Sequence, residues 1–241
     1  MTTLYKDPIF APLDADLCLE RIAGGNETEV YRTDDGQYVV KVKNEERGQA
    51  GQLLQQAQHL RRAANRYAKI VGRNHSVPSY FLVTGDSQAE AQLLVVQPYL
   101  AHAQPLFTVD YTQLSYKERW RIARQLVTII RRSVASYLKH GWMPDLYGRS
   151  STSKEERKRL NAWYMLPWRL WSFLIQRNLL RSHNLLLTAA PERRIILIDY
   201  DPVKQSRFYQ IAYYSVRLWL FVRDLVLIFI MVNSGKSPGR L

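Results

Sequence analysis

The alternation of apolar and polar positions predicts strands through the first hundred residues, separated by turn-forming clusters. Residues 17–22, 28–33 and 38–42 each read as a strand, with Gly24-Gly25-Asn26 and Asp34-Asp35-Gly36 as the turns between them. From Asn44 to about Val71 the period lengthens to that of a helix, and Leu53, Leu54, Ala57, Leu60, Ala64 and Tyr67 fall near one face. Two further strands are expected at 80–84 and 92–97, followed by a looser, proline-containing segment to about Tyr111. Beyond it the pattern is mainly helical. Ser115 and Glu118 form a capping-box signature, Ala123, Leu126, Val127, Ile130, Val134 and Leu138 trace an apolar stripe, and Gly141 stops the helix. A strand pair is expected at 184–187 and 194–198 around a turn at Pro191, then a tail helix over 211–232 and a disordered end over 234–241. The expected fold class is therefore α+β, with a sheet-and-helix lobe over residues 1–100 and a mainly helical lobe over 101–241.

Composition narrows the setting. With 34 Lys and Arg against 21 Asp and Glu, the formal net charge is +13, which favours anionic partners such as nucleotide, nucleic acid or acidic lipid. Cys18 is the single cysteine, so there is no disulfide partner and no thiolate metal cluster; it reads as strand filler in a reducing, cytoplasmic setting. The N-terminus lacks the basic and apolar regions of a signal peptide, so export is not expected. The apolar run near the C-terminus is broken by Arg217, Arg223 and Asp224, short of the roughly 20 residues that span a bilayer. Membrane association at the surface is the rival expectation for this segment.

Candidate chemistry lies at three places. A bend at Gly24 and Gly25 lets backbone N–H groups approach phosphate oxygens, but taken alone it is more often an ordinary hairpin turn. The following strand carries Lys41 and Lys43 on one face, with Val40 and Val42 on the other. Near the C-terminus an apolar strand ends in Asp199 and Asp201, preceded by Asn184 at the head of another apolar strand. Carboxylates ending a buried strand call for a cation.

These residues, Gly24-Gly25 with Val30, Lys41 two positions after Val39, and Asn184 followed by Asp199-Tyr200-Asp201, resemble the protein-kinase-like superfamily. The resemblance is nearest to compact bacterial members and aminoglycoside-phosphotransferase relatives, and it runs from about residue 17 to 201. It implies a two-lobed protein-kinase-like fold and an ATP- and magnesium-dependent phosphotransferase acting on an unknown acceptor. On that pattern Gly24, Gly25 and Val30 cover the nucleotide, Lys41 binds the phosphates, and Gln97 and Tyr99 lie in the segment beside adenine. Asn184 and Asp199 hold Mg2+.

The chain departs from this pattern in three ways. The helix offers Gln55, Gln56 and Gln58 where a glutamate partner for Lys41 is expected, with Glu45 and Glu46 only at its predicted start. Leu179, not an aspartate, stands five residues before Asn184. Asp145, just after the long helix, is the expected catalytic base, which makes the catalytic loop a split one with residues 150–182 as a helical insertion. The plainer reading is that Asp145 caps a turn in a nucleotide-binding pseudokinase. The insertion carries Trp163, Tyr164, Trp168, Trp171 and Phe173 among basic residues; it reads either as the apolar side of a helical hairpin packed on its own lobe or as a surface for nucleic acid or acidic membrane.

Overall fold

A computed structural model describes residues 19–24, 28–84, 91–148, 162–171, 178–199 and 207–236. Cys18, Gly25, Tyr200, Asp201 and most of the 150–182 segment lie outside them. The chain divides into two compact units. Among the described residues, the first holds 19–65 and 77–99, and the second holds 66–76 and everything from Leu100 onward. The last six residues of the first long helix thus group with the helical unit, a division that the strand pattern alone does not suggest.

The first unit is an antiparallel sheet of β1 (Leu19–Gly24), β2 (Thr28–Thr33), β3 (Tyr38–Gly48), β4 (Tyr80–Thr84) and β5 (Ala91–Pro98), in the order β1-β2-β3-β5-β4. The expected order of three strands, a helix and two strands is what forms. β3 runs to Gly48 rather than ending at Val42, and α1 (Ala50–Val71) begins only after it. Glu45 and Glu46 therefore belong to the strand and not to the helix start. The Asp34-Asp35-Gly36 turn closes as predicted: Thr33 Oγ1 donates to Asp35 at 2.5 Å, and Gly36 takes the positive φ that a side chain would resist.

Alternation gives this sheet two apolar faces. On one, Leu53, Ala57 and Leu60 of α1 pack on Val83, Ala91 and Leu93. On the other, Val40, Leu82 and Val96 cluster with Tyr38, Val42, Tyr80 and Leu94.

The second unit is built on α2 (Tyr116–His140), whose ends follow the sequence. Ser115 and Glu118 form the reciprocal capping box, and Gly141 takes the left-handed conformation at the C-cap. Its buried line runs Ile122, Ala123, Leu126, Ile129, Ile130, Ser133 and Ser136. Leu138, predicted on that stripe, is exposed. The face turns polar near its end because Ser136 donates to the Trp142 carbonyl at 3.0 Å, fastening the chain where it leaves the helix.

A short helix, α3 (Leu166–Trp171), follows α2, and a small sheet pairs β6 (Gln104–Pro105), which precedes α2, with β7 (Leu185–Leu187), and β7 with β8 (Ile195–Leu197). The tail helix α4 (Arg207–Ser234) is longer than expected and packs on α2. Its buried line includes Tyr214, Leu220, Phe221, Ile228 and Met231, and also Arg217 and Asp224. Its other side leaves Trp219, Val222 and Phe229 exposed. Among the described residues no helix is long and apolar enough to cross a membrane. Trp163, Tyr164 and Trp168 are exposed, while Phe173 and the side chain of Trp171 lie outside the described residues, as does most of the segment expected to form the hairpin.

Candidate functional site

The loop that leaves α2 and the segment that enters β7 are joined by hydrogen bonds within the second unit. Asn184 Nδ2 donates to the Asp145 carbonyl at 2.9 Å, across 39 residues of chain. His183 N donates to the Tyr147 carbonyl at 3.0 Å, and Ser182 Oγ donates to the Leu146 carbonyl at 2.5 Å. The same Ser182 hydroxyl accepts from the backbone N–H groups of Asn184 and Leu185. One buried serine thus ties both strands of the joint.

Gly148 makes the close approach possible. Its φ is +69°, and a Cβ there would lie 2.3 Å from Asn184 Oδ1. With Nδ2 committed to the Asp145 carbonyl, Oδ1 packs against Gly148, in the space that a Cβ would fill. The hairpin then carries the geometry onward. Leu185 pairs with Leu197, and Ile198 N donates to the Asn184 carbonyl at 3.0 Å, so Asn184 and Asp199 sit at the same end of the β7–β8 ladder.

The Asp145 carboxylate has partners of its own. Oδ1 accepts from Tyr147 N at 3.1 Å, a turn-capping bond, and lies 3.4 Å from Nη2 of Arg217 on α4. Arg217 is buried beneath the rings of Tyr147 and Tyr213, 4.0 and 4.8 Å from their centroids, and donates to the Tyr213 hydroxyl at 2.9 Å. Burial works against its charge, but the neighbouring Asp145 carboxylate and the two tyrosines more than offset this and raise its pKa. The Tyr213 hydroxyl is pushed up to about 12, by burial first and then by Asp145.

A second buried acid backs the first. Tyr147 donates its hydroxyl to Asp224 Oδ2 at 2.6 Å, and Arg223 donates to Asp224 Oδ1 at 2.7 Å. Burial raises both the Asp224 carboxyl and the Tyr147 phenol, the latter also through the charge of Asp224. The two chains of contact, Asp145 to Arg217 and Tyr147 to Asp224, fix the loop from beneath while 24% of the Asp145 side chain stays exposed.

Of the sequence-predicted residues, Asp145, Asn184 and Asp199 are therefore brought to one region of the second unit. The others lie in the first. Val30 pairs with Lys41, Lys41 with Val95, and Val39 with Gln97, so Val30, Val39, Lys41 and Gln97 share the face of the sheet on which Leu93 meets α1. Gln97 is buried and donates to Ser79 Oγ at 2.7 Å, while Tyr99 N donates to the Gln37 carbonyl and its ring lies under Arg32. Gly24 closes β1 opposite Glu29. Sequence reading missed Ser182, Gly148, Tyr147, Tyr213, Arg217 and Asp224. Its one available signal was the pair Arg217 and Asp224, spaced at seven on an apolar helix and hence on its buried side.

The oxygen donors in this region, the Asn184 amide and the Asp199 carboxylate, are of the type that suits a hard cation such as Mg2+. Among the described residues no group of three or more His, Cys, Asp or Glu could hold a metal unaided. A cation here would need oxygens from a bound phosphate or water.

No protein-family model matches the chain, and no curated protein is similar to it. Among solved structures it is similar to the spectinomycin phosphotransferase APH(9)-Ia, solved in complex with ADP and spectinomycin. The identity is 15%, the match covers 91% of this chain and 83% of that one, and the TM-score is 0.39.

Proposed function

We propose that the protein is an ATP- and magnesium-dependent phosphotransferase of the protein-kinase-like type, with a catalytic loop split between residues 145–148 and 182–184. The observation that carries this is the hydrogen bond from Asn184 Nδ2 to the main-chain carbonyl of Asp145, with Gly148 packed against the same amide, which joins two loop segments whose key residues are 39 positions apart. In this reading Asp145 accepts the proton of the acceptor hydroxyl as its oxygen bonds to the γ-phosphorus. The bond from γ-phosphorus to the bridging oxygen breaks, and ADP leaves. Lys41 offsets phosphate charge, with Gly24, Gly25, Val30, Gln97 and Tyr99 lining the nucleotide. Asn184 and Asp199 are the residues that would hold Mg2+, whose chemistry is to neutralise developing charge on phosphate oxygens.

A second reading is favoured by one observation. The turn cap to Tyr147 and the buried Arg217 both engage Asp145, as they would in a protein that binds nucleotide without turning it over. Thermal unfolding with ATP and Mg2+ tests nucleotide binding, since a ligand at about 100 times its Kd adds about 2.7 kcal/mol. The expected result is a magnesium-dependent shift that Asp199→Ala removes without loss of fold. Absence of any shift in the wild-type protein contradicts both readings.

A further inference from the structure

The outer flank of α2 carries a groove remote from the joint. It has a volume of about 460 Å3 and is lined by Lys117, Trp120, Arg121, Arg124 and His75, with no acidic side chain among the described residues that line it. Lys117, Arg121 and Arg124 are spaced at four and three residues, so they share one helix face over about 10 Å. Arg124 is about 25 Å along the helix axis from Gly141, where the Asp145 loop begins.

The groove has a fixed wall. Arg121 donates to the Pro191 carbonyl at 2.7 Å, and Gln125 both donates to the Arg193 carbonyl and accepts from Ile195 N. Two acids next in sequence to the groove and its wall are engaged elsewhere: Glu118 with Ser115 and Arg193, and Glu192 with Arg194. Their charge therefore leaves three cations along the groove without an acidic counterpart lining it. In the midst of them the Trp120 side chain is 53% exposed. An indole held open among cations is unusual on a surface with no partner, since its apolar area is better buried.

His75 adds a different chemistry. Its Nδ1 lies 2.9 Å from the Ile195 carbonyl, so that nitrogen carries the proton and Nε2 is an acceptor. Burial, reinforced by Arg132 and Arg194, holds this imidazole below its ordinary pKa and keeps it neutral. A neutral acceptor suits a ribose hydroxyl or a base amine better than a bare phosphate oxygen. Cations at phosphate spacing, an open aromatic face and a neutral acceptor together describe a ligand with several phosphates and planar bases.

We infer that this groove binds single-stranded nucleic acid, with backbone phosphates on Lys117, Arg121 and Arg124 and a base stacked on Trp120. The site is independent of the phosphotransferase reading. It uses none of the residues given a role there.

The test is fluorescence anisotropy of 5′-labelled decauridylate against the full chain, titrated at several salt concentrations. Lys117→Glu with Arg124→Glu changes two exposed cations and leaves Arg121 on its carbonyl. This variant should bind at least tenfold more weakly at 0.1 M salt, with a salt slope shallower by about 1.4, since each phosphate contact to a single strand contributes about 0.7. Trp120→Ala should weaken binding about fivefold or more with the slope unchanged. Asp199→Ala should bind like the wild type. Several results would overturn the inference: no binding by the wild type, wild-type affinity in either groove variant, or displacement of the label by tripolyphosphate as readily as by unlabelled decauridylate. Loss of phosphatidylserine-vesicle binding in the charge-reversed variant with decauridylate binding intact would also overturn it, and assign the groove to lipid.

Discussion

The sheet of the first unit and the loop joint of the second are held by opposite means. The sheet buries aliphatic and aromatic side chains from its own strands and from α1, and the clusters on its two faces are apolar. The joint buries Arg217, Asp224, Ser182, Asn184 and Tyr147, drawn from segments separated by 36 to 77 residues. Apolar burial is non-directional and tolerates variation in shape, whereas each buried polar group demands its own partner at a set distance. The difference assigns the two regions different jobs: the sheet is a scaffold, and the joint is where side-chain position is specified.

That contrast can be broken by experiment. Leu93→Ala, in the sheet, should cost about 3 to 5 kcal/mol, the usual range for a fully buried leucine, and its cost should be nearly independent of pH. Chemical denaturation at two pH values measures it; a strongly pH-dependent cost would place ionisable groups in the sheet's core. Arg217→Met should cost about 3 kcal/mol, toward the low end for a broken buried pair because Asp145 keeps some contact with solvent. A neutral result in the same experiment would mean that the arginine's charge is dispensable to the joint. Gly148→Ala should cost about 1 to 3 kcal/mol, from its positive φ and from displacement of Asn184 Oδ1. It should also remove ATP turnover beyond what the stability loss explains. Full turnover in this variant would separate Gly148 from the site.

The smallest expected effect is a pH slope at Asp224. Burial raises this carboxyl above the ordinary aspartate value of about 3.9, so above that value the folded protein still holds a proton that the unfolded chain has released. Wild-type stability relative to Asp224→Asn should therefore be greatest below the ordinary value and fall as pH rises toward the raised one. Denaturation of both proteins across that range reads the difference. The opposite slope would mean that Arg223 and the Tyr147 hydroxyl outweigh desolvation.

Local rules explain why much of the fold was legible in the sequence. The capping box at Ser115, the C-cap at Gly141, the turn at Gly36 and the stripe from Leu53 to Tyr67 are each set by residues within a turn or two of one another. The end of β3 was misjudged because Asn44, Glu45 and Glu46 lack strand propensity, and pairing of Arg47 and Gly48 with β5 overrides it. The exposure of Leu138 and of Trp163 could not be read either, since periodicity places a residue on a face but does not say what covers that face. At the site, Asp145 and Asn184 were legible one by one through the residues around them. Their meeting was expected only from the resemblance, as a split loop; the contacts that hold it were not legible, because Ser182, Gly148 and the α4 residues have partners far away in sequence.

The claim that the two separated segments work as a single catalytic loop is tested most directly by ATP turnover in wild type and Asp145→Asn, with ATP affinity measured for each. The amide can still accept the turn-capping bond from Tyr147 N, but the buried Arg217 loses its counter-charge, so turnover is compared at a temperature where denaturation shows both proteins fully folded. The account predicts affinity unchanged within a few-fold and turnover lower by about 10² to 10⁴, the usual worth of a general base. Equal turnover in the two proteins, above an enzyme-free control, would contradict it.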